Sequence, residues 1–270
     1  SIKEVFVKKN IDKVIHLAAK AGVRHSLDFP QEFQSDNNQV TMNLLELSNE
    51  FKIKNFVFAS SSSVYGIKDD PEVHEDLPLE PLTDYSKFKA DCEQILLEYE
   101  SSEFTTTTIR PSTVCGYGKR QRLDVVVNIF ANLAYHNRKI TVFGGDQLRP
   151  NLHIEDMTDL YIMLLDIEKE KIAGKIYNAG YENHPIKKLA EIVKDVIGDD
   201  VELVTTPTDD NRSYQVSSKK IKEEIGFKAK HTIKEAVSDL KKAFDEGKLP
   251  NSLTDERYFN IKLMQSVDLQ

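Results

Sequence analysis

Short apolar runs rich in β-branched and aromatic residues alternate with helical stretches over most of the first 180 residues, and this alternation limits the fold more than any other feature. Val14-Ile15-His16-Leu17 reads as a buried strand, residues 31–51 as a helix, and Asn55-Phe56-Val57-Phe58-Ala59-Ser60 as a second buried strand. Residues 84–99 follow as a helix with Asp84 as its N-cap, and Thr105-Thr106-Thr107-Thr108-Ile109 is β-branched enough for a third strand. Helices over 123–136 and 156–167 flank an extended Ile140-Thr141-Val142-Phe143, and Ile176-Tyr177-Asn178 reads as a further strand. Parallel neighbours need a crossover, usually helical, so strands separated by helices predict a mainly parallel sheet covered on both faces. The expected class is therefore α/β, doubly wound and Rossmann-like.

Beyond about Gly180 the pattern changes. Helices over 186–197 and 233–244 flank a short strand, Val201-Glu202-Leu203-Val204, in a segment richer in Lys and Glu. Residues 1–180 are expected to form the larger domain and 181–270 a smaller α/β lobe and tail, with parts of 117–150 lent to the lobe. The tail from Leu249 has few periodic apolar residues and is expected to wrap over the surface.

Chemistry concentrates where the second strand ends. Ser60-Ser61-Ser62-Ser63-Val64-Tyr65-Gly66 places hydroxyls at that end, and Tyr85-Ser86-Lys87-Phe88-Lys89 puts Tyr and Lys at i and i+4, on one helix face. The serines alone could cap the next element, and Tyr-x-x-x-Lys alone is common on surface helices. Together they suit redox chemistry at a carbinol: an ammonium beside a phenol favours the phenolate, and a serine holds the substrate oxygen. Lowering a phenol from about 10 to about 7 takes roughly 4 kcal/mol of electrostatic help. The intervening loop, 67–83, is acidic and carries Pro71, Pro78 and Pro81; it reads either as a solvated flap or as a lid.

A formal net charge of −8 argues against nucleic-acid or anionic-membrane partners. Cys92 and Cys115 do not make a disulfide framework, and Cys92 falls on an amphipathic helix as a packing residue. With neither a spanning apolar run nor an apolar signal core, the cytoplasm is the expected compartment.

His16-Leu17-Ala18-Ala19, Asn43-Leu44-Leu45-Glu46, Ser60 to Gly66, Tyr85-x-x-x-Lys89 and Arg110-Pro111-x-x-Val114-x-Gly116 occur in the order and spacing of a known family. Val142-Phe143-Gly144, Arg149 to Asp156 and Asp210-Asn211-Arg212 continue the pattern to about Phe244. The chain thus resembles the extended short-chain dehydrogenases/reductases, and among them the NAD-dependent nucleotide-sugar epimerases and dehydratases. The resemblance implies Ser61 as catalytic hydroxyl, Tyr85 as general base and Lys89 as the residue that lowers its pKa and binds the nicotinamide ribose. It implies NAD contacts from Leu17, Ala18, Ala19, Asn37, Ser60, Tyr85, Lys89 and Arg110, and substrate contacts from Ser61, Ser62, Thr113, Arg149 and Arg212. Guanidinium groups such as Arg149 and Arg212 suit a sugar-nucleotide diphosphate. No metal is implied. A homodimer is, through a four-helix interface built from helices around 39–49 and 84–99.

The departures are informative. The 4,6-dehydratases carry Asp and Glu directly after the catalytic hydroxyl, where this chain has Ser62 and Ser63, poor acids and bases at neutral pH. Thr113 and Cys115 stand at the family's Asn and Tyr, Pro150-Asn151 replaces Asp-Tyr after Arg149, and Gly116 to Arg122 is unusually basic. That loop reads as phosphate-binding or as merely solvated. The Gly-x-x-Gly-x-x-Gly turn that seats a dinucleotide pyrophosphate does not occur. An N-terminally incomplete sequence, short by about 50 residues, is the expectation. The function these readings converge on is NAD-dependent epimerisation of a nucleotide-linked sugar, at C4, through a keto sugar. A net nucleotide-sugar dehydrogenase or reductase on the same scaffold is the alternative, and a non-catalytic nucleotide-binding protein the third.

Overall fold

A computed structural model describes residues 2–19, 35–68, 70–208, 213–260 and 262–263. In chain order the first elements are α1 (Ile2–Lys8), β1 (Lys13–His16), a π-helical turn (Ser35–Gln39) running into α2 (Val40–Glu50), β2 (Asn55–Ala59), and a 3₁₀ turn (Ser62–Tyr65). Next come α3 (Asp84–Tyr99), β3 (Thr105–Pro111), β4 (Thr113–Cys115), α4 (Val126–Asn137), β5 (Lys139–Phe143), β6 (Leu148–His153), α5 (Ile154–Asp166) and a short α6 (Lys169–Ile172). The chain ends with β7 (Lys175–Ala179), β8 (Glu182–Pro185), α7 (Ile186–Ile197), β9 (Glu202–Thr206), α8 (Lys219–Ile225), α9 (Ile233–Asp245) and a 3₁₀ turn (Glu256–Tyr258).

Among the described residues the principal sheet runs β1-β2-β3-β7, all parallel, with Phe58 opposite His16 and Thr108, and Arg110 opposite Asn178. Successive strand side chains point to opposite faces, so a strand covered on both sides must be apolar throughout. Strand β2 obeys this. Phe56 and Phe58 pack with Leu45 of α2 and Cys92 and Leu96 of α3, while Val57 packs on the other face with Leu160 and Leu164 of α5. Helix α8 joins that second face through Ile221. The doubly wound α/β fold follows.

A second hydrophobic cluster joins α4, β5, α7 and α9 through Val127, Ile140, Leu189 and Leu240, with β5 pairing parallel to β9. It takes residues from both sides of Gly180, because the strand-and-helix unit 126–143 has its apolar face toward α7 and α9. The tail does not wrap loosely. Leu249 and Tyr258 are buried in this cluster, and the Asn132 amide donates to the Ser252 carbonyl at 2.9 Å.

Some local expectations need correction. The N-cap of α3 is Thr83, whose Oγ1 accepts from the Ser86 N–H; Asp84 is already the first helical residue. Helix α5 starts at Ile154, two residues earlier than expected, because His153 Nδ1 accepts from the Glu155 N–H and caps it. The small sheet β4-β6-β8 was not expected, since Pro111 and Pro150 interrupt the β signal there.

Beneath the β2 and β3 ends lies a buried ion pair. Arg110 is 3% exposed and Glu93 of α3 is fully buried; Nη2 reaches Glu93 Oε2 at 2.6 Å, and Nε lies 3.1 Å from Oε1. The remaining donor, Nη1, serves the Tyr65 hydroxyl at 2.8 Å and the Glu75 carbonyl at 3.3 Å. Removing one partner of a buried pair strands the other charge. Arg110→Met should therefore cost about 3–5 kcal/mol in denaturant unfolding. Adding Glu93→Leu should recover much of that loss, and an unchanged single variant would contradict the role.

Candidate active site

Ser61 leaves β2 in extended conformation and caps the 3₁₀ turn, its Oγ accepting from the Ser63 N–H at 3.2 Å. The turn ends at Gly66, with φ +71°, where a Cβ would strike the Glu80 carbonyl, so only glycine fits. The turn aims Ser61, Ser62 and Ser63 into a cavity of about 510 Å³. Helix α3 brings Tyr85 and Ser86 to the same cavity, and β4 brings Thr113.

Lys89 sits one turn below Tyr85 and is nearly buried. Its ammonium donates to the Ala59 carbonyl at 2.7 Å, lies 4.6 Å from the centre of the Phe58 ring and 6.0 Å from that of Tyr85. Burial pulls Lys89 down to about 8, against the pull of Cys92 and Glu93. Burial also raises the Tyr85 phenol above its ordinary value, opposed by the charge of Arg122 and by hydrogen bonding with Ser61. In the protein alone, Arg122 and Ser61 are groups that favour the phenolate. His16, at the end of β1, is driven to about 4 by burial and by Lys89, so its ring is neutral at pH 7 and bonds Thr41 at 3.0 Å.

The same cavity is lined by cations. Arg120, Arg122 and Arg149 line the cavity, and no Asp or Glu does so among the described residues. The basic loop 116–122 is no loose excursion. Asn128 of α4 accepts from the Gly116 N–H at 3.0 Å and donates to the Arg122 carbonyl at 2.8 Å, while Gln121 accepts from the Gly118 N–H. Arg149 donates to the Leu148 carbonyl at 3.0 Å. Ser62 is buried, 3.5 Å from the hydroxyl of Tyr214, which reaches the cavity from beyond residue 212.

Other expected positions lie apart from the cavity or, for Ser60, at its edge. Leu17, Ala18 and Ala19 follow β1 at the carboxyl edge of the sheet and are exposed. Asn37 is buried beside α3, where its carbonyl accepts from Thr41 Oγ1 at 2.6 Å and lies 3.8 Å from Cys92 Sγ. Ser60 lines the cavity edge while its hydroxyl donates to Glu93, and Arg110 is held below by the ion pair. Arg212 lies outside the described residues. The loop 67–83 is tied down at its middle: Val73 is buried and bridges Val216, Glu72 accepts from Ser217 Oγ at 2.6 Å, and Glu75 accepts from the Asn178 N–H at 2.7 Å. The sequence did not single out Glu93, Ser86 or Tyr214 as parts of this arrangement; Glu93 alone left a legible trace, standing four residues after Lys89.

The NAD dependent epimerase/dehydratase family matches residues 1–180. A UDP-glucuronate 4-epimerase of Thermodesulfobacterium geofontis is 34% identical over 203 residues, spanning 73% of this chain and 61% of its own length. A human dTDP-D-glucose 4,6-dehydratase is 31% identical over 249 residues, spanning 87% of this chain and 69% of its own. Among solved structures, the UDP-glucuronic acid 4-epimerase of Bacillus cereus, in complex with UDP-glucuronic acid and NAD, aligns with TM-score 0.79 and 25% identity over 91% of this chain and 78% of that one. The UDP-glucose 4-epimerase of Thermotoga maritima aligns with TM-score 0.82 over 92% of this chain and 81% of that one, at 23% identity, a likeness of fold.

The buried Lys89 has a measurable signature. Its pKa is about 8 folded and 10.5 as the reference, so the unfolded chain binds the extra proton between those values. Stability should rise with pH across that window, by up to about 3 kcal/mol. Denaturant unfolding at pH 7.5 and pH 10 should show the rise in the parent and not in Lys89→Met; equal slopes would contradict it.

Proposed function

From the premise that this chain belongs to the NAD dependent epimerase/dehydratase family, we propose that it takes part in C4 epimerisation of a nucleotide-linked sugar. The observation that carries this reading is the cavity itself: Ser61 and Tyr85 line it together with Arg120, Arg122 and Arg149, and no Asp or Glu does so among the described residues. Arginines suit the diphosphate of a nucleotide sugar. The hydroxyls suit a carbinol.

In this reading Tyr85, as phenolate, takes the proton of the C4 hydroxyl, and Ser61 hydrogen-bonds the same oxygen. Lys89 holds the carboxyl end of β2 through the Ala59 carbonyl, and its charge favours the phenolate. NAD, when bound, supplies the acceptor and donor of hydride. The exposed Leu17-Ala18-Ala19 at the carboxyl edge of a parallel sheet fits it, its two alanines leaving the backbone open where such sheets bind ligands. The keto sugar turns over, Tyr85 returns the proton, and the C4 configuration is inverted. Thr113 and Arg149 contact the substrate, joined by Arg120 and Arg122.

Dehydration is disfavoured on physical grounds. Removing water from the neighbouring carbons needs an acid and a base, and Ser62 and Ser63 supply neither at neutral pH. We further propose that the cluster built on α4, β5, α7 and α9 forms the substrate lobe. A homodimer through α2 and α3, whose exposed Val40 and Leu97 would meet the partner, fits the same reading. No helix among the described residues is long and apolar enough to cross a membrane; with the composition, this supports a cytoplasmic location.

The test is conversion of UDP-glucose and UDP-glucuronic acid, separated from their C4 epimers by chromatography and followed at 340 nm. The expected outcome is epimer formation without accumulation of reduced cofactor. Tyr85→Phe should lower turnover by about 10²- to 10⁴-fold. Steady accumulation of reduced cofactor would favour a net dehydrogenase, and a fully active Tyr85→Phe would remove the enzyme reading.

A further inference from the structure

Ser61 is the last member of a chain of hydroxyls. Thr83 Oγ1 lies 2.9 Å from Ser86 Oγ, Ser86 Oγ donates to Ser63 Oγ at 2.9 Å, and Ser63 Oγ lies 2.9 Å from Ser61 Oγ. Two backbone bonds fix its ends: the Ser86 N–H reaches Thr83 Oγ1 at 3.3 Å, and the Ser63 N–H reaches Ser61 Oγ at 3.2 Å.

A hydroxyl has one hydrogen and two lone pairs. The hydrogen of Ser86 is committed to Ser63, which makes Thr83 the donor to Ser86. Ser63 keeps its own hydrogen and a second lone pair, so its bond with Ser61 is open to either direction. Run toward Ser61, it leaves Ser61 accepting from both the hydroxyl and the amide of Ser63, with its lone pairs engaged. Its one hydrogen remains, and the cavity shared with Tyr85 is where it can go.

We propose that Thr83, Ser86 and Ser63 form a one-way hydroxyl chain that locks Ser61 as a hydrogen-bond donor toward the substrate oxygen and the Tyr85 phenolate. Ser63 and Ser86 are positioning residues, acting through Ser61. The inference deepens the epimerase reading and rests on it. Successive hydrogen bonds polarise one another, so the final donor is strengthened by those behind it. A donor aimed at the oxygen favours charge there; the same serine turned to accept would oppose it. Ser61 keeps its proton throughout, and the only proton transferred is the one passing between the substrate hydroxyl and Tyr85. The chain also accounts for Ser63 as more than a missing carboxylate, since it is the link between the helix and the strand end.

The experiment compares Ser86→Ala, Ser63→Ala and Ser86→Thr with the parent, in NAD-supplemented protein, using whichever of UDP-glucose and UDP-glucuronic acid the parent converts. Each alanine variant should lower kcat about tenfold. KM should hold within about twofold, because ground-state binding is untouched. The acid limb of the kcat profile should move to higher pH, because losing a donor to the phenolate raises the pKa of Tyr85. Ser86→Thr should restore kcat and the acid limb. Two independent alanine positions keep the test intact should one variant fail to fold. Unchanged kcat and acid limb, or a rise in KM alone, in a protein inactivated by Tyr85→Phe, would overturn the chain. A parent that converts neither sugar, or an active Tyr85→Phe, would instead defeat the epimerase reading beneath it.

Discussion

Burying a guanidinium is expensive unless a carboxylate and enough acceptors go with it, and here Arg110 has both. The consequences spread outward because each acceptor belongs to a different element. Glu93 is on α3, Tyr65 on the serine turn, and Glu75 in the loop 67–83, while Arg110 is on β3. Ser60 adds its own bond to Glu93, and Tyr65 passes the network to Asn178 of β7 at 2.7 Å. One ion pair thereby fixes the residue before Ser61 and the helix that carries Tyr85.

That helix states the logic in a single stripe. Tyr85, Lys89 and Glu93 stand four residues apart, on one face of α3. Glu93 anchors the helix beneath the floor, Lys89 clasps the carboxyl end of β2 through the Ala59 carbonyl, and Tyr85 faces the cavity. Stability and chemistry pull against each other at the middle position. Burial makes the Lys89 ammonium costly, and the same placement sets a cation close beneath the phenol. Tyr85 itself is raised by burial, so the groups that favour its phenolate matter individually. The arginines lining the same cavity add what the hydroxyls alone do not, namely charge complementary to an anionic ligand.

Much of this was legible in the chain. Strand β2 declared itself because it is buried on both faces, and Tyr85 and Lys89 because helical spacing brings them together. Other features depend on residues that sequence order keeps apart. Arg110 sits in a motif suggestive of cofactor contact, yet its fate is decided by Glu93, seventeen positions earlier, and by the turn holding Tyr65. Thr83 and Asp84 are both good N-caps, and only the geometry chooses Thr83. Strands β4 and β8 are too short to show a period, and Pro150 interrupts β6. The tail from Leu249 reads as a surface wrap because its few apolar residues are widely spaced, although Leu249 and Tyr258 fill places in the second cluster.

The central claim is that Ser61, Tyr85 and Lys89 serve a hydride and proton exchange at one carbinol, with the hydrogen returning to the carbon it left. The most direct test is conversion of a UDP-sugar carrying deuterium at C4, in ordinary water. The account predicts that deuterium is retained at C4 of the epimer, with turnover slowed by the label where hydride transfer limits the rate. Loss of the label to solvent, or its transfer into released reduced cofactor, would contradict it.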